Sequence, residues 1–526
     1  MKNLNSCEGG LVYSSFSILQ IQTFCTDSLT PIRISSPTQQ ENKREGFINR
    51  VVRGNIDDQL FSRKEQIIDR YRLEGFDIRI EVSYHEHGED APPTIAVLEG
   101  YVHVWAAVFF DRTVELSYRF FVPGSHEVEI TRFCTIDHPL NTDQMIFFAG
   151  IVQHVEHWIY NKKLDRQEID GSLKKIEISN FPLDSTSNYH PEGTGEQHLT
   201  FDEVQRRYRN YFDKTPENQL RTPDHHYVYI DIWEDINHTN GFNLEHVGEA
   251  DVIEHIETAH QAELIGLMTL YPREWPYRMN SSFKDICGDN IAIDVDDLVL
   301  ANQNISVVFG TYGRRGSESE TNWKEHVRRR SRYHVSWPEY LVLLEIVLAK
   351  KQTINFVLDK YINNSLDTCN SNIRDSIEKN AQWSVELSHI LLELDSVRYL
   401  RYMSHKHMFD MVQKNLRVFD DERQLQAIMQ QVDKSLDNVN NVIELRHADD
   451  TKYILFFISI ASLFGVLLQS EDVPIISLVS YKLGIGFAFV LELLTAAVIV
   501  IGLNSFGKAT LQYFRRKRKE KRKLKY

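Results

Sequence analysis

Hydrophobic and polar positions alternate most clearly between Tyr101 and Val122. The two arms, YVHVWAAVFF (Tyr101 to Phe110) and TVELSYRFFV (Thr113 to Val122), are joined by Asp111-Arg112. Both are rich in aromatic and β-branched residues, which pack well on a pleated surface, so the pair predicts a β-hairpin. Further strands are predicted at Ser17 to Phe24, Phe76 to Tyr84, His226 to Trp233, Asn290 to Asp294 and Ile305 to Gly310. Helical spacing is read at Glu65 to Arg72, at Val252 to Thr269, and at Asp143 to Lys162, where Ile146, Ile151, Val155 and Ile159 share a side. Residues 50 to 310 therefore predict an α/β body, interrupted by a polar, Gly/Pro-punctuated boundary at Pro182 to Thr200.

The pattern changes after Ser336. Trp337 to Ile362, Asn372 to Leu400 and His405 to Arg446 predict three long helices. In the third, Leu425, Ile428, Val432, Leu436, Val439 and Ile443 keep the spacing of a helix packed on parallel neighbours, or of one packed within its own subunit. With no breaker before Tyr453, that helix reads as a stalk from about residue 405 to 468, on the order of 100 Å long.

Two apolar runs follow. YILFFISIASLFGVLL (Tyr453 to Leu468) carries no charge, and LGIGFAFVLELLTAAVIVIGL (Leu483 to Leu503) carries only Glu492. A bilayer core needs about 20 apolar helical residues, so the pair predicts a transmembrane hairpin. The end, Arg515 to Tyr526, holds nine Lys/Arg and one Glu, a net of +8. Basic flanks stay on the cytoplasmic side, which predicts a multi-pass inner-membrane protein with both termini cytoplasmic and the lipid bilayer as a partner. The expected fold class is α+β: a cytosolic α/β domain over 1–335, a long-helix stalk over 336–452, a transmembrane hairpin over 453–507 and a basic tail over 508–526.

The formal charge of the whole chain is −15, so removing the tail's +8 leaves −23 on the rest. An acidic body argues against binding a nucleic-acid duplex. Five scattered cysteines without CxxC spacing indicate neither a disulfide framework nor a zinc site, and the N-terminus predicts no signal peptide. His85 with His87, and His225 with His226, lack further ligands, so no metal site is assigned. There is no nucleophile elbow, no GxGxxG opening a helix and no GK[ST], and no catalytic residues are assigned.

The order of segments, with LDNVNNVIELRHADDTKYILFFISIASLFGVLL (Leu436 to Leu468), a second span and a Lys/Arg end, resembles the CorA family of membrane ion transporters. The resemblance covers roughly residues 337 to 526. It implies a homo-oligomer, a pentamer in that family, with the first membrane helix lining a central pore. Where the family carries Gly-Met-Asn, this chain has Phe464-Gly465-Val466-Leu467-Leu468-Gln469, without the Met and Asn. The chain also looks like the CorA-like effectors encoded beside type III CRISPR systems. Those imply activation by a nucleotide second messenger, an S-adenosylmethionine–AMP conjugate, and an antiviral role through loss of membrane integrity. Two alternatives stand beside this: a divalent-cation (magnesium or cobalt) transporter of altered selectivity, and a membrane-tethered binding protein without transport.

Three sets of residues are candidates for function. Asn441, Thr451, Leu455, Ser459, Ser462, Val466 and Gln469 fall near one helical face and are candidate pore-lining positions, or close helix contacts. Glu492, at the centre of an apolar run, is a candidate inter-helix pin. The segment from Phe309 to Tyr340 is the densest basic run outside the tail, with glycines and aromatic residues interleaved. Tyr312, Arg314, Arg315, Lys324 and Arg328 are its candidate ligand-binding residues: guanidiniums fork onto phosphate oxygens and rings stack on bases. Salt bridges to the acidic body are the plainer use of the same charges.

Overall fold

The computed structural model describes residues 10–26, 68–84, 94–109, 113–124, 128, 130–150, 173–182, 201–213, 222–233, 236–238, 249–271, 283–294, 297–310, 333–367, 400–431, 434, 451–456 and 458–460. The chain divides into two units, Met1–Met429 and Gln430–Tyr526.

In the first unit the described strands are β1 (Leu11–Tyr13), β2 (Phe16–Cys25), β3 (Ile68–Tyr84), β4 (Thr94–Phe109), β5 (Thr113–Val122), β6 (Cys134–Ile136), β7 (Leu140–Asn141), β8 (Leu173–Ser179), β9 (His225–Ile232), β10 (Ile236–His238), β11 (Asp297–Ala301) and β12 (Ile305–Gly310). The helices are α1 (Thr142–Ala149), α2 (Phe201–Phe212), α3 (Glu249–Ala259), α4 (Gln261–Thr269), α5 (Phe283–Cys287), α6 (Pro338–Asp367) and α7 (Met403–Asn415). Nine strands form one sheet in the order β11-β12-β9-β2-β5-β4-β3-β8, with β6 added to β4; β10-β1-β7 form a small second sheet. The pairing in the large sheet is antiparallel except between β12 and β9. The fold is thus mixed α/β around a large sheet.

The predicted hairpin is β4 and β5, in register from His103↔Arg119 to Phe109↔Thr113. One side of the sheet carries a continuous apolar core: Ile18, Val104, Leu116, Tyr118, Phe120 and Ile230 pack with Met145, Phe201, Tyr208 and Leu264. The aromatic part is close, with Tyr118 edge-on to Phe201 at 5.4 Å and to Tyr208 at 5.8 Å. Helix α1 is started by a capping box, Asn141 accepting from the Gln144 backbone while Gln144 answers to the Asn141 N–H. Helix α6 begins on Pro338, whose fixed φ suits the first helical position, and it crosses the opposite side of the sheet over β2 and β5.

Several sequence expectations are corrected. Glu65 to Arg72 is not helical where described: from Ile68 it is β3, paired with β4 as far as Tyr84 with a bulge between Leu73 and Phe76. A Cβ on Gly75, inside that bulge, would collide with the Val102 carbonyl, so the bend requires glycine. Asn290 to Asp294 is a turn rather than a strand, because the Asn290 side chain takes the N–H groups of Ala292 and Val299. The single helix expected over Val252 to Thr269 is two, α3 and α4, meeting at His260.

The long stalk is also corrected. Helix α7 stops at Asn415, and Leu416-Arg417 form a turn in which Arg417 has φ of 57° before helix resumes at 418. Of the second expected long helix only Leu400 is described. Among the described residues, no helix is long and apolar enough to cross a membrane. The longest of them, α6, sets Glu345, Lys350 and Lys351 along its middle and lays its apolar residues on a protein sheet. This finding overturns the two C-terminal transmembrane helices, and with them the multi-pass inner-membrane location with both termini cytoplasmic. Of 453–507, only 453–456 and 458–460 are described, as exposed helix; 461–526 lie outside the described residues.

Candidate functional site

The side of the sheet under α6 has a different composition from the apolar core. Odd-numbered residues of β5 project there, Thr113, Glu115, Ser117, Arg119 and Phe121. The register sets His103 and Trp105 beside them from β4, and Arg70 beyond those from β3. On the other flank, Ser17 and Asp231 come from β2 and β9. Residues Tyr333 to Ser336 and the first turns of α6 close over this array, and every one of these side chains is buried.

Charge dominates its centre. Glu345 of α6 forms an ion pair with Arg70 and stands 3.6 Å from Arg119. Arg119 donates from Nε to the Ser117 hydroxyl at 2.6 Å and from Nη1 to the Tyr333 carbonyl. Burial pulls the Arg119 guanidinium down to about 10, against the opposing pull of Glu345, so it stays charged at neutral pH. Glu115 has no hydrogen-bond partner on either carboxylate oxygen. Burial, then repulsion from Glu345, raises its pKa well above the usual carboxylate range, which favours the protonated form. Two guanidiniums thus face the one carboxylate of Glu345.

Aromatic rings cover the guanidiniums. Trp105 and Tyr333 stack at 5.7 Å with 17° between planes. The Arg119 guanidinium lies over Trp105 at 4.8 Å and that of Arg70 over Tyr333 at 5.4 Å. Next to them, His103 and His334 stack at 4.0 Å, and Phe121 closes the other side of His334 at 5.5 Å. His103 Nδ1 lies 3.0 Å from Arg72 and Nε2 lies 2.7 Å from the Arg132 carbonyl. A neutral ring with its proton on Nε2 satisfies both, and burial, then Arg72, pushes its pKa down to about 3. Burial, then His103, likewise keeps His334 neutral.

The junction with α6 is fixed separately. Asp231 accepts from the Ser336 N–H and, at 2.5 Å, from its hydroxyl. Burial lifts the Asp231 carboxyl up to about 7 although both Ser336 bonds favour its charged form. Ser17 donates to the His334 carbonyl, and Tyr340 donates to Asp297 at 2.7 Å.

A second buried cluster ties the small sheet to α1 and α4. Glu263 accepts from the Leu11 N–H at 2.9 Å and from Thr142 at 2.8 Å, and it faces His260. Here the Thr142 hydroxyl is spent on the carboxylate, so the arrangement works as a pin between elements.

The residues chosen from sequence fall elsewhere. Tyr312, Arg314, Arg315, Lys324 and Arg328 lie outside the described residues, which end at Gly310 and resume at Tyr333. Asn441, Ser462, Val466, Gln469 and Glu492 lie outside them too, while Thr451, Leu455 and Ser459 are on exposed helical turns. His225 and His226 take successive positions on β9, and no group able to hold a metal ion occurs among the described residues. Sequence reasoning passed over Arg70, Trp105, Glu115, Arg119, Asp231 and Glu345. One signal was available: Glu345 is the only charge in YLVLLEIVLA, and a carboxylate inside such a run needs a buried cation.

No protein-family model, no curated protein and no solved structure matches the chain.

Proposed function

We propose that this protein is a sensor rather than a catalyst, and that its α/β body binds a small anionic ligand of the nucleotide class. The observation that supports this most is the cluster of Arg70, Arg119 and Trp105. Two guanidiniums suited to a phosphate and an indole ring suited to stacking on a base stand together on one face. By sequence, the basic run holding Arg314, Arg315, Lys324 and Arg328 leads into Tyr333, and the chain continues from there into α6. An S-adenosylmethionine–AMP conjugate, implied by the resemblance, has the required adenine and phosphate. Isothermal titration of the full chain with AMP and with S-adenosylmethionine tests the reading. AMP binding that weakens at least about tenfold in Arg119→Lys supports it. Absence of heat from AMP at millimolar concentration overturns it.

A further inference from the structure

Tyr333 and His334 stand where a ligand of that class would stand. The Tyr333 ring stacks on Trp105 and sits 5.4 Å from the Arg70 guanidinium, a position that a flat ring of similar size fills. Its carbonyl takes the Nη1 donor of Arg119, although a neutral acceptor is the weaker partner for a guanidinium and an anionic oxygen the stronger. His334 is held at φ of 56°, in the left-handed region that non-glycine residues enter at a cost on the order of 1 kcal/mol, histidine more readily than most. Beneath them Glu115, 1% exposed, leaves both carboxylate oxygens without a partner, and Trp105 leaves its indole N–H without one. Buried polar atoms in this state are uncommon, and they are the groups a ligand with its own donors and acceptors would satisfy. Strain above and unmet hydrogen bonds below mark the closed arrangement as one that a better occupant can replace.

We infer that Tyr333-His334 is a built-in stopper, held in the Trp105–Arg119–Arg70 slot and displaced by a planar ring bearing a single anionic group, of which a nucleoside monophosphate is the simplest. This rests on the nucleotide-class reading of the same site and adds its regulation. Displacement has a defined consequence. Ser336, two residues on, is the point at which Asp231 ties the chain to the sheet, and α6 starts at Pro338. Expelling the stopper pulls on that tie and on the Glu345 ion pairs one helical layer further along, which couples an occupied slot to the seating of α6.

A protein whose competent state is only partly populated binds more weakly by that fraction, so loosening the stopper strengthens binding without touching the ligand's contacts. The test uses the full chain and AMP, titrated into the unaltered protein, Tyr333→Ala and His334→Gly, with thermal melts to establish that each is folded. Tyr333→Ala empties the slot and is expected to raise AMP affinity about tenfold. His334→Gly keeps a backbone that glycine adopts freely while removing the ring on His103, and it is expected to raise affinity by a smaller factor; it decides the matter if Tyr333→Ala does not fold. Adding Arg119→Lys to either variant is expected to cancel the gain. Binding by the unaltered protein with no gain in the folded variants overturns the stopper and leaves nucleotide binding standing. Absence of AMP heat from all three proteins overturns both.

Discussion

Along β5, Val114, Leu116, Tyr118, Phe120 and Val122 project to one side of the sheet and Thr113, Glu115, Ser117, Arg119 and Phe121 to the other. All ten are buried. The first set joins the continuous apolar core with residues of α1, α2 and α4, while the second meets α6 through the Arg119–Glu345 ion pair and the Thr113–Thr353 hydroxyl bond. Equal burial therefore hides unequal roles. Removing apolar area from water stabilises at roughly 25 cal/mol per Å² whatever the exact partner, so the apolar side is tolerant and stabilising. The charged side gains little net energy over an apolar equivalent, because desolvation offsets attraction, but it fails badly when one partner is removed. A chain that keeps such a layer under a helix has a site with defined partners, sensitive to what replaces them.

The comparison breaks most visibly at Glu345. Glu345→Ala leaves Arg70 and Arg119 buried without their carboxylate and is expected to destabilise by about 3–5 kcal/mol in denaturant unfolding. Leu116→Ala on the apolar side is expected to cost about 2–4 kcal/mol, with no loss of AMP binding in the folded fraction. A smaller loss from Glu345→Ala than from Leu116→Ala would show that the charged layer is wet rather than buried.

Asp231 sharpens the comparison through pH. Its folded pKa, about 7, is above the ordinary carboxylate value near 3.9. The native state binds the proton more tightly, so this contribution is complete below about pH 4 and is lost as pH rises through about 7. Between pH 5 and 7 the expected slope is a fall of at most about 1.4 kcal/mol per unit, read from unfolding midpoints. Asp231→Asn removes that slope, whereas an unchanged slope in the variant places the titrating group elsewhere. The smallest effect is expected at Glu115. Burial and the Glu345 carboxylate favour the neutral form there, so Glu115→Gln, a neutral side chain of the same size, should cost about 1 kcal/mol or less in denaturant unfolding, and a loss of several kcal/mol would show that the native group is ionised.

What the sequence disclosed depended on how far apart the interacting residues are. The β4–β5 hairpin, β2, β9, β12 and the start of α6 were legible because alternation and local turn chemistry determine them. Ile68 to Arg72 misled because KEQIIDRYR has good helix formers, and only pairing with β4, more than thirty residues on, makes it a strand. The break at His260 and the turn at Arg417 escaped notice because neither carries Gly or Pro. The polar layer was harder still: Glu115 and Arg119 alternate with apolar residues as on a solvated strand, and nothing local announces that α6 will cover them. The residues given to a membrane pore and to the basic loop were chosen from composition, which describes a segment without saying what it meets.

One consequence concerns the order in which the chain can fold during synthesis. Strand β2 emerges first of the large sheet and finishes at its middle, flanked by β5 on one edge and β9 on the other. The first side can close once Val122 has left the ribosome, but the second must wait for Ile232. Until then β2 presents a bare, apolar edge of backbone donors and acceptors, a surface prone to pairing with other chains. Temperature and the pace of translation before residue 225 should therefore change how much of this protein is recovered folded.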